Sequence, residues 1–270
     1  MTQGKWMALS LALMLGGLGT VAYLWATGTF DRNSAEVSES ISDVHDTRMA
    51  EAQRLVKEAK ARFADVKDYR CIYLREEVIE GKLLSNHTLL QVRHTPFSIS
   101  MEWLGPSSKK GRKMAWVAGK NNGKMLVKQM IVKMELDPQE SIRRKESRHT
   151  IDEAGLKNLI NRYDVAWERE MKMGVTTIAL QDSLLTVKLP GKEYLLDCVC
   201  ITATHPPDSH KQFKFLVTKL YIDKKTGLPV RSENYEFPAP GQTQGQVVER
   251  YTYLDVQTNV GLTDGHFSLN

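Results

Sequence analysis

The sequence has little cysteine and none of the common catalytic motifs. Its 270 residues include 3 cysteines, too few for a disulfide-rich scaffold or a four-thiolate zinc site. It has no Gly-rich phosphate loop, no His-Glu-x-x-His motif and no Gly-x-Ser-x-Gly turn. The formal net charge of +5 is the small difference between 37 basic and 32 acidic residues. The basic residues are scattered along the chain, which gives no support to nucleic-acid binding. We therefore expect a protein that is not an enzyme and that carries no cofactor and no metal.

A long apolar run lies near the N-terminus. Residues 6–25 number 20 and include two polar side chains, Ser10 and Thr20. A helix of that length spans roughly 30 Å, the thickness of a bilayer core. Lys5 precedes the run, and acidic residues outnumber basic ones over 27–50, so the positive-inside rule places the N-terminus in the cytoplasm.

The run therefore predicts a single-pass anchor in the inner (cytoplasmic) membrane with the remainder facing the periplasm. The alternative is a signal peptide, with Thr20-Val21-Ala22 as its cleavage site and secretion to the periplasm. A lipid anchor is disfavoured because no cysteine lies near the run. The predicted parts are an N-terminal anchor or uncleaved signal (1–26), a linker (27–42) and one extracytoplasmic domain (43–270).

The remaining pattern predicts an α+β domain. Apolar residues at three- and four-residue spacing predict a helix over 43–65, after which a period of two predicts consecutive antiparallel strands. Thr150 and Glu153 match a capping box, so we predict a helix there that ends before Gly174. A further break is predicted between strands 175–180 and 184–188. An open sheet of this length must curl, and helices can fill its concave side.

Large apolar side chains concentrate on neighbouring predicted strands, where they form either a packed core or a cavity wall for an acyl chain or another apolar ligand. Methionine makes such a wall deformable. The candidate lining is Phe97, Ile99, Met101, Trp103, Met114, Trp116 and Met125.

The polar candidates have simpler interpretations. Cys198 and Cys200 fall on one face of a predicted strand, either as small buried side chains or with one of them in a disulfide to Cys71. His205 and His210 are expected on a surface loop rather than in a metal site. An acidic cluster could supply an acid pair for hydrolysis, but we expect a solvated edge. Its members are Glu76, Glu77 and Glu80.

Two stretches resemble a known bacterial family. They read V-R-H-T-P-F-S-I-S-M-E-W-L-G-P (92–106) and G-R-K-M-A-W-V-A-G-K-N-N-G-K-M-L-V (111–127). They resemble domain of unknown function 1571, whose pattern has Val where Ile99 stands and Tyr where Trp116 stands. The resemblance covers roughly 50–265 and implies no catalytic residues, because the family has no established activity.

The segment L-Y-I-D-K-K-T-G-L-P-V-R (220–231) is similar to a strand–turn–strand of the LolA/LolB lipoprotein-carrier superfamily. That resemblance implies an unclosed half-barrel with helices on its apolar concave side. Carriers of that type hold lipoprotein acyl chains. The expected function is thus non-catalytic binding of an apolar ligand, with a lipid or lipidated protein as partner. The alternatives are a structural or regulatory envelope module with a packed core and, third, a hydrolase.

Overall fold

The computed structural model describes residues 47–242 and 244–269. The predicted membrane anchor (1–26) and linker (27–42) lie outside the described residues. Within the described part, no helix combines the length and apolar character needed to cross a bilayer.

One antiparallel sheet of eleven strands dominates the described residues. The strands are β1 (Asp68–Ile79), β2 (Lys82–His94), β3 (Phe97–Gly105), β4 (Lys113–Val117), β5 (Met125–Gln129), β6 (Val132–Leu136), β7 (Thr177–Leu189), β8 (Lys192–Thr204), β9 (Val217–Asp223), β10 (Pro229–Tyr235) and β11 (Val247–Thr258). Their spatial order is β6-β5-β4-β3-β2-β1-β11-β10-β9-β8-β7. Two meanders therefore meet where β1 pairs with β11, and β6 and β7 form the two ends of an unclosed sheet.

Two long helices accompany the sheet, as predicted. Helix α1 occupies 47–63, and after the short helix α2 (Glu140–Arg143) comes helix α3 (Leu156–Met173). Each long helix buries one apolar stripe at helical spacing. The buried residues of these stripes are Met49, Ala52, Val56, Ala59 and Phe63 on α1, and Leu156, Leu159, Ile160, Tyr163 and Trp167 on α3.

Both helices pack on the same face of the sheet, here called the inner face. One buried cluster unites α1 and α3 with Met125 of β5 and Ile178 of β7. In a flat sheet these strands would lie nine strand spacings apart, or about 43 Å. The sheet therefore curves around the helices and its inner face is concave, as the twist of a long sheet requires.

Helix α3 does not begin with the predicted capping box. Thr150 makes no side-chain capping bond, and a separate short 3-10 turn occupies Ile151–Glu153. Gly155, at φ +107°, breaks the chain between this turn and α3. The first N–H of α3, on Leu156, donates instead to the Tyr69 hydroxyl at 2.8 Å. The other end is as predicted, with Gly174 in the left-handed region and its N–H bonded to the carbonyl of Glu170.

Other departures lie in the strands. The predicted break between 175–180 and 184–188 is wrong, because β7 runs without interruption and pairs along its whole length with β8. A tight turn after Gln129 divides residues 125–136 into β5 and β6. Strand β6 and helix α2 were not predicted.

The predicted disulfide from Cys71 to Cys198 or Cys200 is not formed, since all three thiols are free and buried. Cys71 belongs to the inner-face cluster, whereas Cys198 belongs to a second cluster with Leu254 and Val230 on the outer face. Strands β1 and β8 are also four spacings apart in the sheet, about 19 Å if measured flat. A disulfide needs Cα atoms within about 7 Å, so this pairing is wrong.

Candidate ligand-binding cavities

Strands β3 to β6 bring the predicted lining residues onto the inner face. Met101 lies opposite Met114, and Ile99 lies opposite Trp116 in the pairing of β3 with β4. Because side chains alternate along a strand, Phe97 and Trp103 lie on the same face of β3 as Ile99 and Met101. Ile99, Met101, Trp103 and Met125 are fully buried, while Phe97, Met114 and Trp116 are half-buried against the same cluster.

Four of the seven predicted residues line a cavity between the sheet and the start of α3. They are Met101, Trp103, Met114 and Met125, and this space is here called the apolar cavity. Ile99, Phe97 and Trp116 do not line it. Its volume is about 70 Å³, below the roughly 300–1,000 Å³ of sites for drug-sized ligands.

Sequence reasoning missed the rest of the wall. A fourth methionine and further aliphatic and aromatic side chains come from β1, β5, β6, β11 and α3. They are Met134, Leu136, Val127, Tyr73, Tyr251, Tyr253 and Leu159. The alternation of Tyr251 and Tyr253 on β11 was a usable signal, but β6 was hidden because four of its five residues are exposed.

Charged groups surround the apolar cavity. Arg112 pairs with Glu146 at 2.9 Å, and its guanidinium lies 5.8 Å from the ring centre of Trp103. Arg75 donates to the Ser147 hydroxyl at 2.9 Å and to the Glu146 carbonyl at 3.2 Å. These bonds hold the segment between α2 and α3 against the sheet, where it forms part of the cavity wall.

Two buried carboxylates anchor the same segment. Glu77 of β1 lies directly opposite Glu249 of β11, and each is 1% exposed. Tyr251 donates to Glu77 at 2.8 Å, and the Arg148 backbone N–H donates to Glu77 at 3.2 Å. The predicted solvated edge is therefore wrong for Glu77. The prediction is right for Glu80, which is exposed. It is wrong for Glu76, which is half-buried against Arg250.

Side-chain donors contact both oxygens of Glu249. Arg148 and His149 donate to one oxygen, each at 3.1 Å, and Asn234 donates to the other at 2.8 Å. Burial opposes ionisation, but the hydrogen bond and charge of His149 lower the pKa of Glu249 to about 2. Burial, reinforced by the neighbouring carboxylates, raises the pKa of Tyr251 far above its ordinary value. The cluster thus contains a charged carboxylate whose two oxygens are both engaged by the protein.

A second space, here called the lateral cavity, adjoins the first along the far side of α3. It has a volume of about 400 Å³ and shares His149, Glu153, Leu159, Arg162 and Tyr251 with the apolar cavity. Its aromatic wall consists of Tyr163, Trp167, Phe213 and Phe215.

Buried and exposed charges both line the lateral cavity. His205 is buried and donates through Nδ1 to the Phe215 carbonyl at 2.6 Å, so the predicted surface loop is wrong for this histidine. Its other nitrogen lies 3.2 Å from Glu170, a contact without hydrogen-bond geometry. Arg162 makes no hydrogen bond or ion pair with any described residue, and Lys214 lies 5.0 Å from the ring centre of Phe215. Cationic side chains therefore border an aromatic wall.

Among residues 47–242 and 244–269, no three His, Cys, Asp or Glu side chains are grouped so as to hold a metal ion.

Comparison with solved structures gives low sequence identity over most of the chain. A DUF1329 family protein from Desulfovibrio piger is 13% identical, with a TM-score of 0.39. The match covers 82% of this chain and 98% of that protein's chain. The Mycobacterium tuberculosis lipoprotein LppX is 15% identical, with a TM-score of 0.43 and coverages of 79% and 98%. LprF from Mycobacterium bovis is 12% identical, with a TM-score of 0.39 and coverages of 79% and 95%.

No match was found among curated proteins. The family model described as "Protein of unknown function (DUF1571)" matches residues 66–270, which include both stretches that resembled it. The chain therefore belongs to the DUF1571 family.

Proposed function

We propose that this protein is a non-catalytic, periplasm-facing envelope protein that binds the acyl chain of a lipid or lipidated protein between its sheet and α3. The observation that carries the proposal is the methionine wall of the apolar cavity. Met101, Met114, Met125 and Met134 come from four adjacent strands and bound one space. Unbranched, polarisable side chains repack easily around a guest.

The two cavities suit different parts of an amphiphilic ligand. The apolar cavity, at about 70 Å³, accepts a long chain only when its methionines change rotamer. The lateral cavity, at about 400 Å³, already falls within the usual size range of ligand sites. Arg162, in the wall that the two share, suits the acidic end of such a ligand.

The buried carboxylates support binding rather than hydrolysis. An acid pair for hydrolysis needs one carboxyl group that is free to deliver a proton to substrate. Both oxygens of Glu249 accept hydrogen bonds from protein side chains, and those of Glu77 accept bonds from Tyr251 and from the Arg148 backbone. The cluster fixes the segment between α2 and α3 to the sheet.

Membrane attachment through residues 1–26 is part of the proposal and rests on the apolar run and its flanking charges. In this arrangement the half-barrel is tethered beside the lipid surface that would supply its ligand.

Fluorescence titration of residues 31–270 with fatty acids of 8 to 16 carbons tests the proposal. Each buried methylene contributes about 0.8 kcal/mol, so Kd should fall about fifteenfold for every two carbons until the space is full. Met114→Trp should fill the apolar cavity and remove the dependence on chain length. Met171→Trp, on an exposed part of α3, is the matched control and should behave as the parent.

The alternative is an interaction module with a packed core, and the small volume of the apolar cavity favours it. Absence of binding, or binding that does not depend on chain length, would support this alternative against the proposal.

A further inference from the structure

The turn between β5 and β6 presents apolar side chains to solvent. Met130 is 85% exposed and Ile131 is 94% exposed, the highest values among the large hydrophobic residues of the described part. Val132 follows at 53%. Single exposed apolar residues are common on protein surfaces, whereas contiguous exposed apolar patches mark interaction sites. This turn, residues 130–132, is here called the hairpin tip.

The backbone of the tip is unusual for the residues it carries. Gln129 pairs with Val132, so Met130 and Ile131 form a two-residue hairpin loop. Such loops favour Asn and Gly, which tolerate positive φ at little cost. Met130 adopts φ +55°, a conformation that is unfavourable for a side chain of its kind. The two most exposed large apolar residues of the described part therefore lie in a turn whose backbone conformation is unfavourable for Met130.

A row of lysines lies on the outer face beside the tip. Lys113, Lys128 and Lys133 are directly opposite one another on β4, β5 and β6. Lys113 also lies 3.0 Å from Glu102. Anionic lipid headgroups attract such basic residues, and each lysine near the surface strengthens membrane binding about fivefold.

We infer that the hairpin tip inserts into the interface of an anionic lipid bilayer, with the lysine row at the level of the headgroups. The apolar tip and the basic flank match the two layers of a membrane surface, the acyl boundary and the anionic headgroups. Met134, two residues beyond Val132 on β6, lines the apolar cavity and lies about 7 Å farther along the strand. Insertion of the tip therefore brings the rim of the apolar cavity to the lipid surface. The inference rests on the tip and its lysines, and it stands whether or not the cavity binds an acyl chain.

Site-directed spin labelling of the full-length chain in vesicles tests the inference. A label is attached at Ile131→Cys or, as the control, at Leu184→Cys, since Leu184 is an exposed apolar residue on β7, far from the hairpin tip in the strand order. The three native thiols are buried and should not react. Vesicles contain either phosphatidylethanolamine with 30% phosphatidylglycerol or phosphatidylcholine alone.

In the anionic vesicles the label at position 131 should be at least five times more accessible to oxygen, relative to a water-soluble nickel complex, than the label at 184. The difference should shrink when Lys128 and Lys133 are changed to Gln, or when phosphatidylcholine replaces the anionic mixture. Met130→Asp should abolish it while circular dichroism remains unchanged.

Equal accessibility at 131 and 184 in both vesicle types would overturn the inference. Dipolar broadening between labels at 131, without a gain in oxygen accessibility, would overturn it in favour of pairing between two copies of the chain. Fatty-acid titration of the Met130→Asp variant separates this test from that of the cavity, because the variant should keep the parent's chain-length dependence.

Discussion

Replacing the buried carboxylate Glu249 by an amide should remove much of the stability of the sheet at neutral pH. Glu249→Gln preserves the shape of the side chain but removes the negative charge that Arg148 and His149 contact. The pKa of Glu249 falls from an ordinary 4.5 to about 2 in the folded protein, against the effect of burial, through its bonds with His149 and Asn234. Each pKa unit corresponds to about 1.36 kcal/mol, so ionisation of Glu249 contributes on the order of 3 kcal/mol to folding.

The sign of the pH dependence follows from this lowered pKa. A group whose folded-state pKa is depressed contributes stability above its unfolded pKa, and that contribution disappears as pH falls through the folded value. The free energy of unfolding of Glu249→Gln should therefore lie roughly 3 kcal/mol below that of the parent at pH 7. The difference should shrink between pH 4.5 and about pH 2.

Urea titrations at pH 7, 4.5 and 3, followed by circular dichroism, measure this difference. Glu168→Gln is the matched control, because the Glu168 side chain is 58% exposed and pairs with exposed Lys172. Exposed pairs of this kind contribute at most about 1 kcal/mol. Equal midpoints for Glu249→Gln and the parent at pH 7, or a difference that does not change with pH, would refute the role given to the buried carboxylate.

The other predictions concern packing and backbone. Trp103→Ala should lower the free energy of unfolding by about 3–5 kcal/mol because the side chain is 3% exposed, whereas half-buried Trp116→Ala should cost less; equal urea midpoints would contradict this ranking. Gly155→Ala should destabilise the protein more than Gly174→Ala in thermal melts. Both glycines have positive φ, but a Cβ at 155 would lie 2.7 Å from a tyrosine hydroxyl, while one at 174 meets nothing within 4 Å. Burial raises the pKa of Cys198 to about 12, so a thiol reagent at pH 8 should label no cysteine before unfolding and three afterwards; a labelled native protein would contradict the buried positions.

The inner face was predictable wherever one periodicity dominated. The alternation from Phe97 to Trp103 in the sequence indicates a strand with one buried side, and the apolar spacing from Leu156 to Trp167 indicates a helix with one buried stripe. Both signals are local, because they arise from burial of one side of a single element. Four of the seven predicted lining residues line the apolar cavity for this reason.

The parts that failed depend on partners distant in sequence. Glu77 looks like a surface residue beside Glu76 and Glu80, and only the pairing of β1 with β11 brings it to Tyr251. The start of α3 was misplaced because the chain breaks at Gly155 and the first N–H of the helix, on Leu156, bonds to the distant hydroxyl of Tyr69. Long-range pairing decides such positions, and a single sequence carries no direct signal for it.

The most direct test of the account is to locate a bound acyl chain. A palmitic acid analogue with a diazirine near its terminal carbon is photolysed with residues 31–270, and the adducts are mapped by mass spectrometry. The account predicts adducts on β3 to β6 and on α3 around Leu159, which line the apolar cavity, and their loss in Met114→Trp. Adducts confined to the outer face, or unchanged adducts in Met114→Trp, would contradict the central claim that the ligand lies between the sheet and α3.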